Sequence, residues 1–517
     1  MTGTMPHLTM WNGRQYLVAD GKPLFLRAGE LHNSSASSLK YMEEHVWAAV
    51  RPLHLNALVL PVYWECVEPE EGRFDFDLVD GILARAREEG LKLVLLWFGL
   101  WKNGNSDYVP GWVKRDGRRF TRVLTSGGTQ LNVYGHLYMT ISPLCQEAVE
   151  ADARCFARLM AHLAQVDSDA HTVVAVQVEN EIGVLGSDRD YSPAASEAYA
   201  EGVPAALREG LGRSGTTWEE CFGDEAAESF MAWHYARAVQ RIASAGKAAW
   251  PLPMYCNAWL KQVPRLAGEY PSGGPQLHLQ KIWRLAAPDI DFYAPDIYLS
   301  AYRDTCDRYC EAGNPLFIPE ARQTADAAPY YFYALGAHGA MCFSPFGVED
   351  MMRRVDKPDP GMLRLLDISE EAFRTGPLAG AVLAQAYALT EGMGEVLTRA
   401  IQEGRTHGFL DQGESGINLL LRGCMLRVDY DKKPGSGEPL AGGMVVELSG
   451  DEFVVAGTNC QLHVTSTGDG GVEVERYEEG CFRDGVWQRG RILNGDERHS
   501  IRCGTDPRMF RIRVFRL

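Results

Sequence analysis

The stretch NALVLPVYW (56–64), followed by FDFDLVDGILARAREEG (74–90) and LKLVLLWFG (91–99), decides the fold. Its first and last segments are continuous apolar runs of strand length, typical of parallel strands buried on both faces. The middle segment predicts an amphipathic helix, with Asp77 and Asp80 at capping-box spacing and Gly90 as its stop. Its predicted buried face comprises Leu78, Val79, Ile82, Leu83 and Ala86. The stretch therefore predicts a strand–helix–strand unit.

The same alternation continues on both sides of this unit, from about residue 20 to residue 350. The remaining strand-like runs are KPLFLRAG (22–29), TVVAVQVEN (172–180), PLPMYCN (251–257), IDFYAPDIY (290–298), PLFIPEA (315–321) and GAMCFSPFG (339–347). Eight such strands alternating with helices predict an α/β fold of the (β/α)8 TIM-barrel type. An open doubly wound sheet is the alternative, but no GxGxxG follows the first strand to support it.

The residue pattern of the sequence changes past residue 400. Short β-rich pieces separated by Gly, Asp and Asn replace the helical periodicity, as in GMVVELSGDEFVVAGTNC (443–460). We therefore expect three parts: a catalytic barrel over residues 1–370, a helical connector over 371–400, and a smaller C-terminal β-sandwich-like domain over 401–517.

Charge and composition narrow the classes of partner. The chain has 51 Lys and Arg against 68 Asp and Glu, a net charge of −17, which disfavours nucleic acid and anionic membranes. A neutral or cationic small substrate fits better. No apolar window reaches the length of a membrane span and no signal peptide is evident, so we expect a cytoplasmic chain. The 12 cysteines are scattered, which predicts no disulfide framework. Cys306 and Cys310 lack a second pair at zinc spacing, so no structural metal is expected.

Polar and aromatic residues close the predicted strands. Because the carboxyl ends of barrel strands converge on one mouth, these residues are candidates for a shared site. Carboxylates among many aromatic rings favour sugar chemistry, since a sugar ring offers CH faces for stacking and hydroxyls for hydrogen bonds. No phosphate-binding glycine loop and no G-x-S-x-G motif is present, and no cofactor is expected. The candidate substrate-binding residues are Glu30, Asn33, Tyr63, Glu65, Trp97, Trp101, Asn180, Trp259, Tyr298 and Arg322.

Two carboxylates stand out among the strand ends. Glu181 follows the fourth predicted strand and Glu320 lies near the end of the seventh, so they can face each other across the mouth. A retaining glycosidase needs such a pair about 5–5.5 Å apart, one as nucleophile and one as acid/base. We predict that Glu181 and Glu320 are the catalytic residues.

Three motifs resemble one group of enzymes. QVENEIG (177–183), VYWECVEPEEGRFDF (62–76) and FIPEAR (317–322) resemble the corresponding motifs of clan A glycoside hydrolases, in particular the family 35 and family 42 β-galactosidases. The resemblance implies that Glu181 is the acid/base and Glu320 the nucleophile. It also implies that Asn180 binds the 2-hydroxyl of the sugar and that Tyr298 hydrogen-bonds the nucleophile. Glu179 is expected to point away from the site, because side chains alternate along a strand.

The chain departs from the family 35 pattern after the third strand. Members typically carry Cys-Ala-Glu there, and that Glu contacts the sugar; this chain has Trp101 and Lys102 at the matching place. Glu30, Glu65 or Glu349 is then needed to supply the missing contact.

The leading hypothesis is a retaining, exo-acting β-glycosidase that cleaves terminal β-galactosides of an oligosaccharide or other β-glycoside. The second hypothesis is a β-glucosidase or transglycosylase (glucosyltransferase) on the same scaffold. It is favoured if the Trp-rich loop, WFGLWKNGNSDYVPGW (97–112), builds an acceptor site. A non-catalytic carbohydrate-binding protein is the third. The pattern leaves the oligomeric state open, including a homo-oligomer.

Overall fold

The computed structural model of the chain describes residues 4–133, 135–299, 301–353, 379–431, 439–466, 471–499 and 501–517. Eight parallel strands form one sheet. Strands that are neighbours in the sheet are also consecutive barrel strands in the chain, except that the first strand lies beside the last. In chain order they are Leu26–Arg27, Ala57–Tyr63, Lys92–Lys102, Val173–Asn180, Met254–Trp259, Phe292–Ile297, Phe317–Ala321 and Cys342–Pro345. The last strand pairs with the first, and a bridge between Glu30 and Val59 joins the first to the second. The sheet therefore closes into the expected barrel, not an open doubly wound sheet.

Burial explains why these runs form strands. All seven residues of the second barrel strand and all eight of the fourth are buried, because the barrel interior covers one face and the helices cover the other. The predicted helix between the second and third strands spans Asp77–Glu88, and Val79, Ile82 and Leu83 are buried as expected. Its predicted capping box is wrong. Phe76 occupies the N-cap, and no side chain caps the helix.

The other helices surround the barrel or connect its strands to loops. The α-helices are Leu39–Tyr41, Trp47–Val50, Trp64–Val67, Asp77–Glu88, Gly111–Arg115, Gln146–Val166, Pro193–Ala200, Ala205–Leu211, Trp218–Phe222, Ala226–Ala249, Gln280–Ala286, Tyr302–Tyr309, Ala327–His338, Ala379–Met393 and Glu395–Gln402, and a π-helical turn spans Met42–Val46. Residues 371–378 of the predicted helical connector lie outside the described residues, and from residue 379 onward it falls on the last two α-helices. The expected end of the barrel at residue 370 lies outside the described residues.

Antiparallel sheets make up the rest of the molecule. Near the N-terminus, His7–Trp11, Arg14–Ala19 and Lys22–Pro23 form a small sheet, and Leu131–Val133 pairs with His136–Tyr138. The C-terminal part has a six-stranded sheet, in the order Thr406–Leu410, Gly442–Glu447, Glu452–Thr458, Arg508–Arg516, Val472–Arg483 and Val486–Leu493. A four-stranded sheet orders Gly416–Leu420, Met425–Tyr430, Cys460–Thr465 and Ile501–Cys503. A β-rich domain therefore follows the barrel, as expected.

The two parts of the molecule pack directly on each other. Strand Thr406–Leu410 and strand Gly442–Glu447 lie against helix Ala327–His338, which belongs to the barrel. In the described part of the chain, no helix is both long enough and apolar enough to span a membrane.

Candidate active site

A pocket of about 180 Å³ opens where the barrel strands end. Its wall combines carboxyl, amide, ammonium and aromatic groups. The lining residues are Asn33, Lys102, Asn103, Glu181, Trp259, Leu260, Gln262, Asp296, Tyr298, Leu299, Glu320 and Phe346. Both carboxylates that were predicted to be catalytic are among them.

The end of the fourth strand delivers Glu181 to this pocket through an unusual backbone. Glu179 and Glu181, on either side of Asn180, have φ of 62° and 43°, in the left-handed region that non-glycine residues rarely adopt. Such conformations cost of order 1–3 kcal/mol each and cluster at functional sites. The backbone N–H of Glu181 donates to Asn257 Oδ1 at 2.9 Å, which helps to hold the turn.

Three carboxyl groups meet at the base of the pocket. One oxygen each of Glu181, Asp296 and Glu320 lies within 4.8 Å of the other two, and all three residues are buried. Oxygen ligands at this spacing can hold a hard cation. The ammonium group of Lys102 also lines the pocket and already supplies positive charge there.

Glu320 is surrounded by hydrogen-bond donors. Tyr298 donates its hydroxyl to Oε2 at 2.7 Å, and Asn180 Nδ2 donates to Oε1 at 3.2 Å. Asn257 Nδ2 lies 3.4 Å from the same oxygen. Donors of this kind stabilise negative charge on a carboxylate. These hydrogen bonds hold the Glu320 carboxyl group in one orientation.

Glu181 has a different environment. Burial, followed by the negative charge of Glu320, raises the pKa of Glu181 to about 8, although a hydrogen bond with Asp296 and the charge of Lys102 act in the opposite direction. Burial and the same neighbouring carboxylates raise the pKa of Asp296 well above its usual value. At neutral pH, Glu181 therefore carries a proton that it can donate. Two carboxyl groups with contrasting environments are what acid/base assignment in an enzyme requires.

Glu179 lies behind the site, as expected. Its carboxyl oxygens accept the backbone N–H groups of Leu100 at 3.1 Å and Trp101 at 2.6 Å. Asp152 also accepts the N–H of Leu100, at 3.0 Å, and bonds to the Glu179 carboxyl group. Burial, followed by the charge of Asp152, raises the pKa of Glu179 well above its usual value.

Several predicted binding residues lie at or beside the pocket. Asn33, Trp259 and Tyr298 line it, and Asn180 contacts Glu320. The Tyr63 hydroxyl donates a hydrogen bond to the Asn33 carbonyl oxygen at 2.7 Å, which helps to position Asn33. Their placement keeps all of them in the substrate-binding set that we propose.

Four predicted binding residues are placed elsewhere, because each is engaged in another contact. The indole N–H of Trp97 donates to Asp152 and that of Trp101 to the Ile141 carbonyl oxygen, and both rings are buried. The other two are Glu65, which pairs with Lys114 at 3.1 Å, and Arg322, which bonds to Asp326 and Tyr330. We therefore leave these four residues out of the proposed substrate-binding set.

The three carboxylates expected to replace the family glutamate also differ in placement. Glu65 is excluded as the replacement because its carboxylate pairs with Lys114. Glu349 accepts the backbone N–H of His32 at 3.0 Å and the hydroxyl of Ser35 at 2.7 Å, which anchors the loop after the first strand. Glu30 is buried beside the pocket, and neither of its carboxyl oxygens has a hydrogen-bond partner among the described residues. Of the three, Glu30 interacts electrostatically with Glu320, Lys102 and Glu181.

The predicted set omitted several residues of the site, among them Lys102, Asn257 and Asp296. Asn257 and Asp296 stand near the ends of the fifth and sixth barrel strands, where functional residues were expected, but no role was assigned to them. Asn257 bridges the other groups, since its Nδ2 donates to Asp296 Oδ2 at 2.7 Å and its Oδ1 accepts from Glu181 N.

Comparison with known proteins agrees with the resemblance seen in the sequence. Residues 42–243 match the family described as "Beta-galactosidase" (glycoside hydrolase family 42), and residues 383–503 match a domain family of unknown function, DUF5597. A β-galactosidase from Xanthomonas manihotis is 27% identical over 186 residues, covering 35% of this chain and 27% of that protein. The chain thus spans about a quarter of that relative's length.

Solved structures also resemble the chain at low identity. A β-galactosidase from Rahnella sp. R3 is 17% identical with a TM-score of 0.47, over 72% of this chain and 57% of that one. The catalytic domain of a β-amylase from Paenibacillus polymyxa is 12% identical with a TM-score of 0.47, over 66% of this chain and 96% of that one.

The family match and the curated relative show that this chain is similar to enzymes of the glycoside hydrolase class. Within that class, the resemblance of this chain to the clan A enzymes, and to the family 42 β-galactosidases in particular, is confirmed.

Proposed function

We propose that this protein is a retaining, exo-acting β-glycosidase that releases terminal β-galactosyl residues by double displacement. The observation that carries the proposal is the approach of Glu181 and Glu320, which bring carboxyl oxygens within 4.8 Å of each other. Retaining enzymes hold their carboxyl groups about 5–5.5 Å apart, whereas inverting enzymes leave about 6.5–9.5 Å for a water molecule. The likeness to proteins described as β-galactosidases supports the choice of sugar.

The environments of the two carboxyl groups assign their roles. Glu320, held by the donors around it, attacks the anomeric carbon and forms a glycosyl-enzyme as the glycosidic bond breaks. Glu181 donates its proton to the departing oxygen. Glu181, now a carboxylate, then removes a proton from water, and that water displaces Glu320 from the anomeric carbon. The product keeps the β configuration because each step inverts that carbon once.

The shape of the pocket supports cleavage at a chain end. The cavity is small, and Trp259 lines it with an aromatic surface suited to stacking on a sugar face. The transglycosylase hypothesis was favoured if the Trp-rich loop, residues 97–112, built an acceptor site, and this loop includes Trp97 and Trp101. Both rings are buried against other groups, so the proposal is hydrolysis.

The stereochemical outcome tests the mechanism directly. Proton NMR of p-nitrophenyl β-D-galactoside during turnover should show β-galactose first, with the α anomer appearing only as the sugar mutarotates. Immediate appearance of α-galactose would mean an inverting mechanism.

The Glu320→Ala variant tests the nucleophile. We expect a loss of nearly all turnover with the fold intact, and recovery with azide as an α-galactosyl azide, because azide takes the place vacated by the carboxylate. Glu65→Ala is the matched control, since Glu65 lies outside the pocket, and it should keep wild-type activity. Substantial turnover by Glu320→Ala without azide would contradict the assignment.

A further inference from the structure

Lys102 occupies a position that the proposed mechanism does not use. It ends the third barrel strand and lines the pocket, and its Nζ donates to Asn180 Oδ1 at 2.8 Å. Because the amide oxygen of Asn180 is held in this way, its Nδ2 is directed toward Glu320. An ammonium group has three donors and no acceptor. In the described part of the chain, Asn180 Oδ1 is the single hydrogen-bond acceptor of the Lys102 ammonium group.

The pocket wall also contains acceptors that lack a donor. Asn33 Oδ1, Asn103 Oδ1 and Asp296 Oδ1 are buried, and none has a hydrogen-bond partner among the described residues. All three residues line the pocket. Buried oxygens without partners are costly, and hydroxyl groups of a ligand would satisfy them. A ligand carboxylate would not, because it has no proton to give.

The charges around Lys102 also favour a neutral ligand over an acidic one. Burial lowers the pKa of Lys102, but the surrounding carboxyl groups, of which Glu320 contributes most, raise it by more, so the group stays charged. Its positive charge is therefore already opposed by carboxylates of the protein. An acidic sugar would bring a second negative charge into the pocket beside Glu320, the carboxylate that contributes most to keeping Lys102 charged.

We propose that Lys102 is a specificity-determining residue that donates a hydrogen bond to one hydroxyl oxygen of a neutral hexopyranose, while the unpartnered oxygens accept from its other hydroxyls. This inference rests on the proposed glycosidase function. Because an ammonium group can only donate, the contact requires a hydroxyl oxygen that accepts. The site then selects a sugar by a hydroxyl oxygen presented toward the third strand.

Binding of deoxygenated sugars tests the contact without requiring turnover. Dissociation constants for methyl β-D-galactoside and its 2-, 3-, 4- and 6-deoxy analogues are measured by tryptophan fluorescence, since Trp259 lines the pocket. In the wild type, we expect removal of one hydroxyl recognised by Lys102 to weaken binding roughly 10- to 100-fold, the scale of a hydrogen bond to a charged group. In Lys102→Met, that same analogue should bind as well as the parent sugar. Equal penalties for every analogue in the wild type and the variant would overturn the proposal.

Matched variants separate the contact from general damage. Lys114→Met removes a lysine that pairs with Glu65 outside the pocket, and it should show the wild-type pattern. Circular dichroism checks the fold of Lys102→Met. If that variant does not fold, Lys102→Gln keeps a donor of similar reach without the charge, and the penalty for the recognised hydroxyl should shrink but persist.

A uronic acid tests the neutral-sugar part of the proposal. Methyl β-D-galacturonide should bind the wild type at least tenfold more weakly than the galactoside, because its carboxylate has no proton to donate to the unpartnered oxygens of the pocket. If the wild type bound the uronide more tightly than the galactoside, and Lys102→Met lost that preference, the neutral-sugar part of the proposal would be overturned. Failure of the hydrolysis proposal is recognised separately, as wild-type binding of galactosides without turnover.

Discussion

At the scale of single residues, the proton on Glu181 governs the expected activity. Because burial and the charge of Glu320 raise its pKa to about 8, Glu181 is protonated below that pH and loses its proton as the pH rises through it. Only the protonated form can assist the leaving group. We therefore expect kcat/KM for an alkyl β-galactoside to fall as the pH rises through about 8.

The Glu181→Gln variant separates this role from binding. Alkyl galactosides, whose leaving groups need a proton, should lose roughly 100- to 10,000-fold in rate, whereas 2,4-dinitrophenyl galactoside should form the glycosyl-enzyme almost as fast as in the wild type. Pre-steady-state release of the phenol measures that step. The fall in rate above pH 8 should disappear. Glu150→Gln, at a surface ion pair with Arg241, serves as control. Equal losses on both substrates would contradict the acid/base role.

At the scale of elements, the end of the third strand is shaped by a bulge. Trp97 pairs with Val178, but the next pair joins Lys102 to Asn180, so several residues of one strand face a single residue of its neighbour. Within the bulge, the Glu179 carboxyl group accepts the N–H groups of Leu100 and Trp101. A side chain thus replaces the ladder hydrogen bonds that the bulge interrupts, and it positions Lys102.

Removing that acceptor should destabilise the barrel. In Glu179→Ala, the buried N–H of Trp101 loses its partner, which costs about 1–3 kcal/mol, with a further contribution from Leu100. Urea unfolding followed by circular dichroism measures the free energy of unfolding. Glu179→Gln keeps an amide oxygen as acceptor and should lose less than Glu179→Ala. Wild-type stability of the Ala variant would show that the carboxyl group does not hold the bulge.

At the scale of the whole molecule, the barrel and the β-rich domain meet through close backbone contact. A Cβ on Gly336, in helix Ala327–His338, would lie 2.7 Å from the His407 carbonyl oxygen and 2.7 Å from Met444 Cβ. Neither the backbone nor the strand that carries Met444 can move away easily. The helix therefore depends on glycine here to approach the C-terminal sheet.

Substitution of Gly336 should weaken this interface. We expect Gly336→Ala to lower the free energy of unfolding by about 1–3 kcal/mol, the usual cost of overpacking, despite the better helix propensity of alanine. Thermal unfolding monitored by calorimetry compares it with Gly450→Ala, where an added Cβ meets nothing within 4 Å. The proposed close packing would be refuted if both variants unfolded at the wild-type temperature.

Local sequence patterns were enough to predict the architecture and to select the two carboxylates. Continuous apolar runs, alternating with amphipathic helices, were sufficient to locate all eight barrel strands, because burial on both faces leaves a pattern that local sequence can show. Parallel strands in a barrel end at one mouth, so Glu181 and Glu320 could be paired before any distance was known.

Which neighbouring side chains share the pocket could not be predicted without the three-dimensional fold. The third strand was expected to end near Phe98 but continues to Lys102 through the bulge, which buries Trp101 and turns Lys102 inward. Trp259 lines the pocket, whereas Trp97 is held by Asp152. A bulge changes the direction of every side chain beyond it, and its position depends on hydrogen bonds to residues distant in the chain, which no local pattern records.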